Sequence, residues 1–290
     1  MQINKIAVIG SGTMGSQIAM VCALAGYSVV LHDIETRNLL KAKESLQGHM
    51  DRRILKGKLS SEEVSKAFSN MSFTTDFEEL KDVDFVIEAI VEKLEIKREL
   101  FKKLDEITPK HAILATNSST IVSSKIADVT NRPEKVCNVH FFNPVLVMEL
   151  VEVVRGPHTS EETAQIAVEV VKRIQKLPVL LKKEISGFIA NRILGKLMDE
   201  AVFLLENGYA NHEEIDLVCT KALNHPIGPF ALMDLTGIDV NYFVRMQRYE
   251  ESGKESDMPA KIVQEKVRKG ELGRKTGKGF YTYDRSSVEV

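Results

Sequence analysis

The sequence predicts an α/β fold with an all-helical domain behind it. Within the first 33 residues an apolar run, a glycine-rich turn, a helical stretch and a second apolar run follow one another. Short apolar runs then alternate with helical stretches as far as Leu181, and beyond Ser186-Gly187 only helical periodicity is left. Alternation of this kind belongs to a mostly parallel sheet of Rossmann type. We therefore expect such a domain over residues 1–185, with a helical hairpin inserted in it, and an all-helical domain over residues 186–290.

The first strand is Ile6–Ile9, followed by GSGTMG and a helix reaching Ala25. Gly10 permits the tight turn, Gly12 lets backbone approach a diphosphate, and Gly15 lets helix and strand pack closely. The second strand, Ser28–Leu31, leads to Asp33, 18 residues past Gly15. An acid there accepts hydrogen bonds from ribose hydroxyls and repels a 2′-phosphate, so the pattern points to NAD rather than NADP. The plain alternative is a glycine turn that merely packs.

From Thr36 the alternation is interrupted. Leu39, Leu46, Met50 and Ile54 mark one helical stripe, and Ser60-Ser61-Glu62-Glu63 has the form of a second helix start. Lys41, Lys43, Arg52, Arg53, Lys56 and Lys58 outnumber Glu44 and Asp51 on this hairpin. Such a run is either a solvated face or a local positive field for a polyanion.

Asp84–Ile90 is the next buried strand, Lys93–Leu104 a helix, and Ala112–Ala115 a strand ending in TNSST. Asn117, Ser118, Ser119 and Thr120 therefore stand at a strand's carboxyl end, where open α/β sheets bind ligands. The same residue types also cap helices.

Val136–Phe142 and Val147–Val154 both read as strands, with Asn143-Pro144 as the turn signal between them. An antiparallel ribbon centred near Leu146 puts His140 opposite Glu152, each six residues from the centre. A carboxylate there holds one ring nitrogen and leaves the other to take a proton. A core histidine satisfied by a neighbour is the bland alternative. Cys137 has the opposite strand parity to His140, which argues against a thiol nucleophile.

A helix over Thr159–Gln175 and a short strand at Val179–Leu181 complete the first domain. The second opens with the stripe Ile189, Ile193, Leu197, Ala201 and Leu204, stopped by Asn207-Gly208. Further helices are expected from His212, around Ile238–Tyr249 and at Ile262–Lys269, with apolar faces suited to dimerisation.

Composition narrows the function classes. A net charge of −2 with 28% charged residues excludes a strongly basic nucleic-acid binder. The three cysteines, Cys22, Cys137 and Cys219, offer neither a disulfide framework nor a zinc pattern, so no metal is expected. No apolar run approaches the ~18 residues of a membrane helix and no leader is evident, so we read a cytoplasmic protein without membrane partners.

Taken in order, IAVIGSGTMG, VIEAIVEKLEIK, ILATNSST, VHFFNPVLVMELVEVV, GFIANRI, NHPIGPFALMDLTGID and LGRKTGKGFYTYD resemble the L-3-hydroxyacyl-CoA dehydrogenases over essentially the whole chain. The bacterial 3-hydroxybutyryl-CoA dehydrogenases are the similar branch. The resemblance implies an NAD-dependent oxidoreductase acting on short 3-hydroxyacyl-CoA thioesters in fatty acid or butanoate metabolism, and the apolar helix faces noted above suit a homodimer through the second domain. It implies His140 as catalytic base, Glu152 as its orienting acid, and Ser119 and Asn191 as residues that hold the substrate oxygen. Gly10, Gly12, Gly15, Asp33, Glu92, Lys97, Ser119, Asn143 and Lys275 fall on its cofactor positions, and Lys56 on a coenzyme A contact. Two departures stand out. The family's Asn-Thr-Ser-Ser is Asn117-Ser118-Ser119-Thr120 here, and its proline before Gly-Phe is Ser186. Two other readings stay open: a dehydrogenase of a free hydroxy acid such as L-gulonate, similar to the lens lambda-crystallins, and a non-catalytic NAD-binding relative.

Overall fold

The structure is a computed structural model describing residues 2–284; Met1 and residues 285–290, the outer ends of the two expected domains, lie outside the described residues. The chain divides into two compact units between Phe188 and Ile189.

The first unit is built on one eight-stranded sheet. Its strands are β1 (Lys5–Ile9), β2 (Ser28–His32), β3 (Met71–Thr74), β4 (Phe85–Glu88), β5 (Ile113–Thr116), β6 (Val136–Phe141), β7 (Leu150–Val154) and β8 (Leu177–Leu181), in the order β3-β2-β1-β4-β5-β6-β7-β8. The six from β3 to β6 are parallel, β7 runs antiparallel to β6, and β8 is parallel to β7. The order reverses between β1 and β4, and such a switch point opens a crevice at the strands' carboxyl ends.

Central strands are apolar on both sides because both faces of the sheet are covered. One core contains Ile6, Val8, Ile18, Met20, Leu46, Val139 and Val171; the other contains Ala7, Ile9, Val86, Phe101, Leu104 and Ile126. Helix α1 (Thr13–Leu24) is buried along nearly its whole length, which its small residues Gly15, Ser16, Ala19 and Ala23 permit. The inserted hairpin consists of α2 (Thr36–Leu55) and α3 (Ser61–Ser69). Leu39, Ala42, Leu46 and Met50 are the buried stripe of α2. A capping box between Ser60 and Glu63 starts α3 at the position its sequence marks. Helices α4 (Leu94–Ile107), α5 (Ser124–Ala127) and α6 (Glu161–Arg173) complete the layers.

The elements differ from the sequence reading in three places. Strand β3 has no counterpart in it, because MSFT is too short and polar to stand out. The second strand of the ribbon begins at Leu150 rather than Val147, since Val147 and Met148 donate their amides to Pro144 within the turn. In the second unit the helix Pro229–Thr236 also has no counterpart in that reading.

That second unit comprises α7 (Ala190–Glu206), α8 (His212–Lys221), α9 (Pro229–Thr236), α10 (Ile238–Ser252) and α11 (Lys261–Arg268) around Met198, Val202, Ile215, Phe230 and Met233. Two buried aspartates fasten its last segment. Asp216 accepts hydrogen bonds from the amides of Phe230 and Ala231 and the hydroxyl of Tyr281. Asp234 accepts from the amides of Phe280 and Tyr281 and the hydroxyl of Tyr283. A Cβ at Gly279 would fall 2.0 Å from the Asp234 carboxylate, so GKGFYTY is a structural clasp.

Candidate active site

The ribbon forms in the register its midpoint predicts. His140 pairs with Glu152 across β6 and β7, and His140 Nδ1 lies 2.9 Å from Glu152 Oε2. Both are buried, at 4% and 1% exposure, so the pair is largely shielded from competing water. The imidazole packs edge-on against Phe142 and tilted against Phe188, with ring centroids 4.7 and 5.3 Å away. With Nδ1 committed to the carboxylate, Nε2 is the nitrogen left for proton transfer. Cys137, Val139 and Phe141 face the opposite core. Burial pushes the Cys137 thiol up to about 12, which makes it a small hydrophobe rather than a nucleophile.

Ser119 follows β5, the parallel neighbour of β6, and its loop is held from several sides. The Ser118 hydroxyl donates to Glu92 and accepts from the Ile121 amide at 2.8 Å, while the Thr120 hydroxyl donates to Glu92 at 2.7 Å. Asn117 Oδ1 accepts the Phe141 amide at 2.9 Å, tying β5 to the strand of His140. Buried Asn138 accepts the Ser123 amide and donates to the Ile121 carbonyl. Among the described residues no group is hydrogen-bonded to the Ser119 hydroxyl, and the side chain is partly exposed.

Below this loop lies a buried charge. Lys97 Nζ is 2.6 Å from Glu88 Oε1 and 3.3 Å from Glu92 Oε2. Glu88 also accepts the Thr116 hydroxyl at 2.7 Å and the Ile90 amide at 2.7 Å. Burial by itself would raise the Glu92 carboxyl, but Lys97, Ser118 and Thr120 outweigh it and hold the pKa below the ordinary value.

The glycine turn has the shape a dinucleotide needs. Gly10 has φ +99°, and a Cβ there would fall 2.6 Å from the Ala89 carbonyl oxygen. A Cβ at Gly15 would fall 1.9 Å from the Gly10 carbonyl oxygen, whereas nothing lies within 4 Å of one at Gly12. The open side of Gly12 meets the start of α1, which carries no acidic residue in its first turn and no side-chain cap. Its free amides suit an anion. Asp33 accepts the Ser11 amide and hydroxyl at 2.8 and 2.7 Å, and the Glu35 amide and Asn38 side chain at 3.1 Å each. Burial would raise this carboxyl, and those four bonds together hold it below its ordinary value. Above the turn opens a cavity of about 350 Å³ lined by Ser11, Gly12, Thr13, Asn38 and Lys41. The residues present fit NAD.

The remaining expected site residues are spread over both units. Asn143 is exposed at the ribbon turn, and Lys56 is exposed at the carboxyl end of α2. Asn191 stands in the first turn of α7. Lys275 pairs with Asp239, its ammonium 2.6 Å from each carboxylate oxygen.

A family profile described as "3-hydroxyacyl-CoA dehydrogenase, NAD binding domain" matches residues 5–185, and one described as "3-hydroxyacyl-CoA dehydrogenase, C-terminal domain" matches residues 187–283. The chain belongs to the 3-hydroxyacyl-CoA dehydrogenase family. Like other 3-hydroxyacyl-CoA dehydrogenases, it is an NAD-dependent oxidoreductase. It is 42% identical to a 3-hydroxybutyryl-CoA dehydrogenase of Clostridioides difficile over 281 residues, 97% of this chain and 100% of that one. A probable 3-hydroxybutyryl-CoA dehydrogenase of Bacillus subtilis is 39% identical, with 98% of this chain and 99% of the relative covered. The crystal structure of (S)-3-hydroxybutyryl-CoA dehydrogenase from Ralstonia eutropha matches with a TM-score of 0.93 at 38% identity, covering 98% of this chain and 100% of that one.

Sequence reasoning gave no role to Glu88, Thr116, Asn138 or Phe188, which support the expected residues from behind. A signal existed for the first and third. A carboxylate inside the apolar run DFVIEAI and an amide inside VCNVHF each require buried partners. Phe188 carries no such signal, because its contact with His140 depends on the path of the chain after β8.

Proposed function

We propose that the chain oxidises (S)-3-hydroxyacyl-CoA to 3-oxoacyl-CoA with NAD, and reduces acetoacetyl-CoA in reverse, with a short acyl chain as substrate. The observation that carries this reading is the buried His140–Glu152 pair on the strand beside the Ser119 loop. In the oxidative direction His140 Nε2 takes the proton of the 3-hydroxyl. NAD, when bound, supplies the acceptor for the hydride that leaves C3. Glu152 stays ionised and offsets the imidazolium charge. Ser119 has a hydroxyl free to hold the reacting oxygen, and Asn191 is its second donor. Asp33, Gly10, Gly12 and Gly15 hold the dinucleotide, Glu92, Asn143 and Lys275 complete its contacts, and Lys56 meets a phosphate of coenzyme A. Lys97, expected among the cofactor contacts, is instead 1% exposed against Glu88 and acts through Glu92.

The active species is a cytoplasmic homodimer joined through the helical unit. Exposed Phe203, Leu217, Val218 and Phe243 on that unit, together with three free, buried cysteines, support this reading. Among the described residues no helix is long and apolar enough to cross a membrane.

The test is NADH consumption with acetoacetyl-CoA, run beside free acetoacetate and repeated with NADPH. Rapid turnover of NADH with the thioester alone is expected. Equal turnover of the free acid would favour a hydroxy-acid dehydrogenase, and NADH binding without turnover would favour a non-catalytic relative.

A further inference from the structure

The turn between β6 and β7 is held from outside at its midpoint. Leu146 lies midway between His140 and Glu152, and both of its backbone groups are engaged by other elements. Its amide donates to Gln17 Oε1 of α1 at 3.1 Å, and its carbonyl accepts the Arg53 guanidinium of α2. The flanking carbonyls of Val145 and Met148 both accept from Lys176 Nζ at 2.7 Å. Burial, and then Arg53 beside it, lower the Lys176 pKa, so the two cations share one small region under the turn. Behind them is a cavity of about 450 Å³ that Arg53, Leu146 and Lys176 line. The side chains of Val145 and Leu146 are buried in the core, and these hydrogen bonds fix the backbone of the turn on the side where the cavity opens.

Arg53 differs from the other two anchors in where it comes from. Gln17 sits in a buried helix, and Lys176 immediately precedes β8. Arg53 stands in the last turn of α2, beyond the buried stripe that ends at Met50, with only half-buried Ile54 continuing the apolar contact. Leu55 is 86% exposed, and Lys56 is three residues on from Arg53. The end of α2 that carries Lys56 is thus bonded directly to the turn that sets the His140–Glu152 register.

We infer that Arg53 is a positioning residue that couples occupancy of a nucleotide phosphate at the end of α2 to the alignment of the His140–Glu152 pair. The inference rests on the acyl-CoA reading above. Binding energy from the non-reacting end of a substrate appears in kcat when it is used to align the reacting end. Arg53 gives that energy a path of one side chain.

The experiment compares acetoacetyl-CoA with acetoacetyl-pantetheine, which lacks the nucleotide, in the wild type, Arg53→Met, Arg53→Lys and Lys56→Met. In the wild type kcat is expected to be higher with the full thioester. Arg53→Met should shrink that kcat ratio about tenfold, the effect of one charge-assisted hydrogen bond. The KM difference between the two substrates should survive in Arg53→Met and be lost in Lys56→Met. Arg53→Lys, which keeps a cationic donor, should retain most of the kcat ratio and covers the case in which Arg53→Met fails to fold. Equal loss of kcat on both substrates would reduce Arg53 to a structural tie, and an unchanged ratio would remove it from catalysis; either overturns the coupling. A wild type inactive on both thioesters would instead overturn the proposed function.

Discussion

His140 has one ring nitrogen committed to Glu152 and two aromatic rings packed at steep angles around it, which leaves Nε2 as the nitrogen through which the proposed proton transfer would run. Replacing it with alanine should lower kcat by about 10²–10⁴, the usual contribution of general acid–base catalysis. NADH affinity, followed by fluorescence titration, should stay within a factor of about two. Glu152→Gln keeps the shape and removes the charge that stabilises imidazolium; turnover should drop while the protein still folds by circular dichroism. Asp33 provides a pH test. Its folded carboxyl titrates below the ordinary value of about 4, so its bonds to Ser11, Glu35 and Asn38 are intact above that pH and are lost as pH falls through the depressed value. NADH affinity should therefore be flat from neutral pH down to about 5 and weaken only in stronger acid. The cysteines make the opposite point: Cys22 and Cys137 are both pushed up to about 12 by burial, and iodoacetamide should leave them unmodified in the folded protein.

At the scale of elements, periodicity made much of the structure legible. The stripe of α2, the capping box of α3 and the two strands of the ribbon each follow from spacings that leave little choice of geometry. Ser60→Ala should cost about 1 kcal/mol through loss of the cap. A lowered melting temperature with unchanged kcat would place that effect on the hairpin and not on the site. Strand β3 and helix α9 are not legible for a shared reason. Four residues of MSFT become a strand only because β2 offers an edge, and the first-turn amides of α9 are satisfied by the Asp216 carboxylate of α8, 14 residues back in the chain. Long-range partners decide both, and a local pattern cannot display them. The same holds for the layer beneath the site. Ser119 is visible as a hydroxyl at a strand end, but the network of Glu88, Lys97, Glu92 and Ser118 that positions its loop spans residues 30 apart in sequence.

For the molecule as a whole, the exposed apolar side chains of the helical unit predict a dimer, with sedimentation equilibrium giving the mass of two chains; a single species at the mass of one chain would refute it. The function was legible from the order of seven motifs, whereas the GKGFYTY motif proves to hold the helical unit together through Asp216 and Asp234. The ribbon turn has a consequence for how such a chain can vary. Side chains alternate along a strand, so losing or gaining a single residue between Asn143 and Glu149 would rotate Glu152 to the other face of the sheet and bring a valine opposite His140. Changes in pairs preserve parity. The length of this turn is then inherited as an odd-or-even property, and evolution can rewrite its letters far more freely than it can change their number.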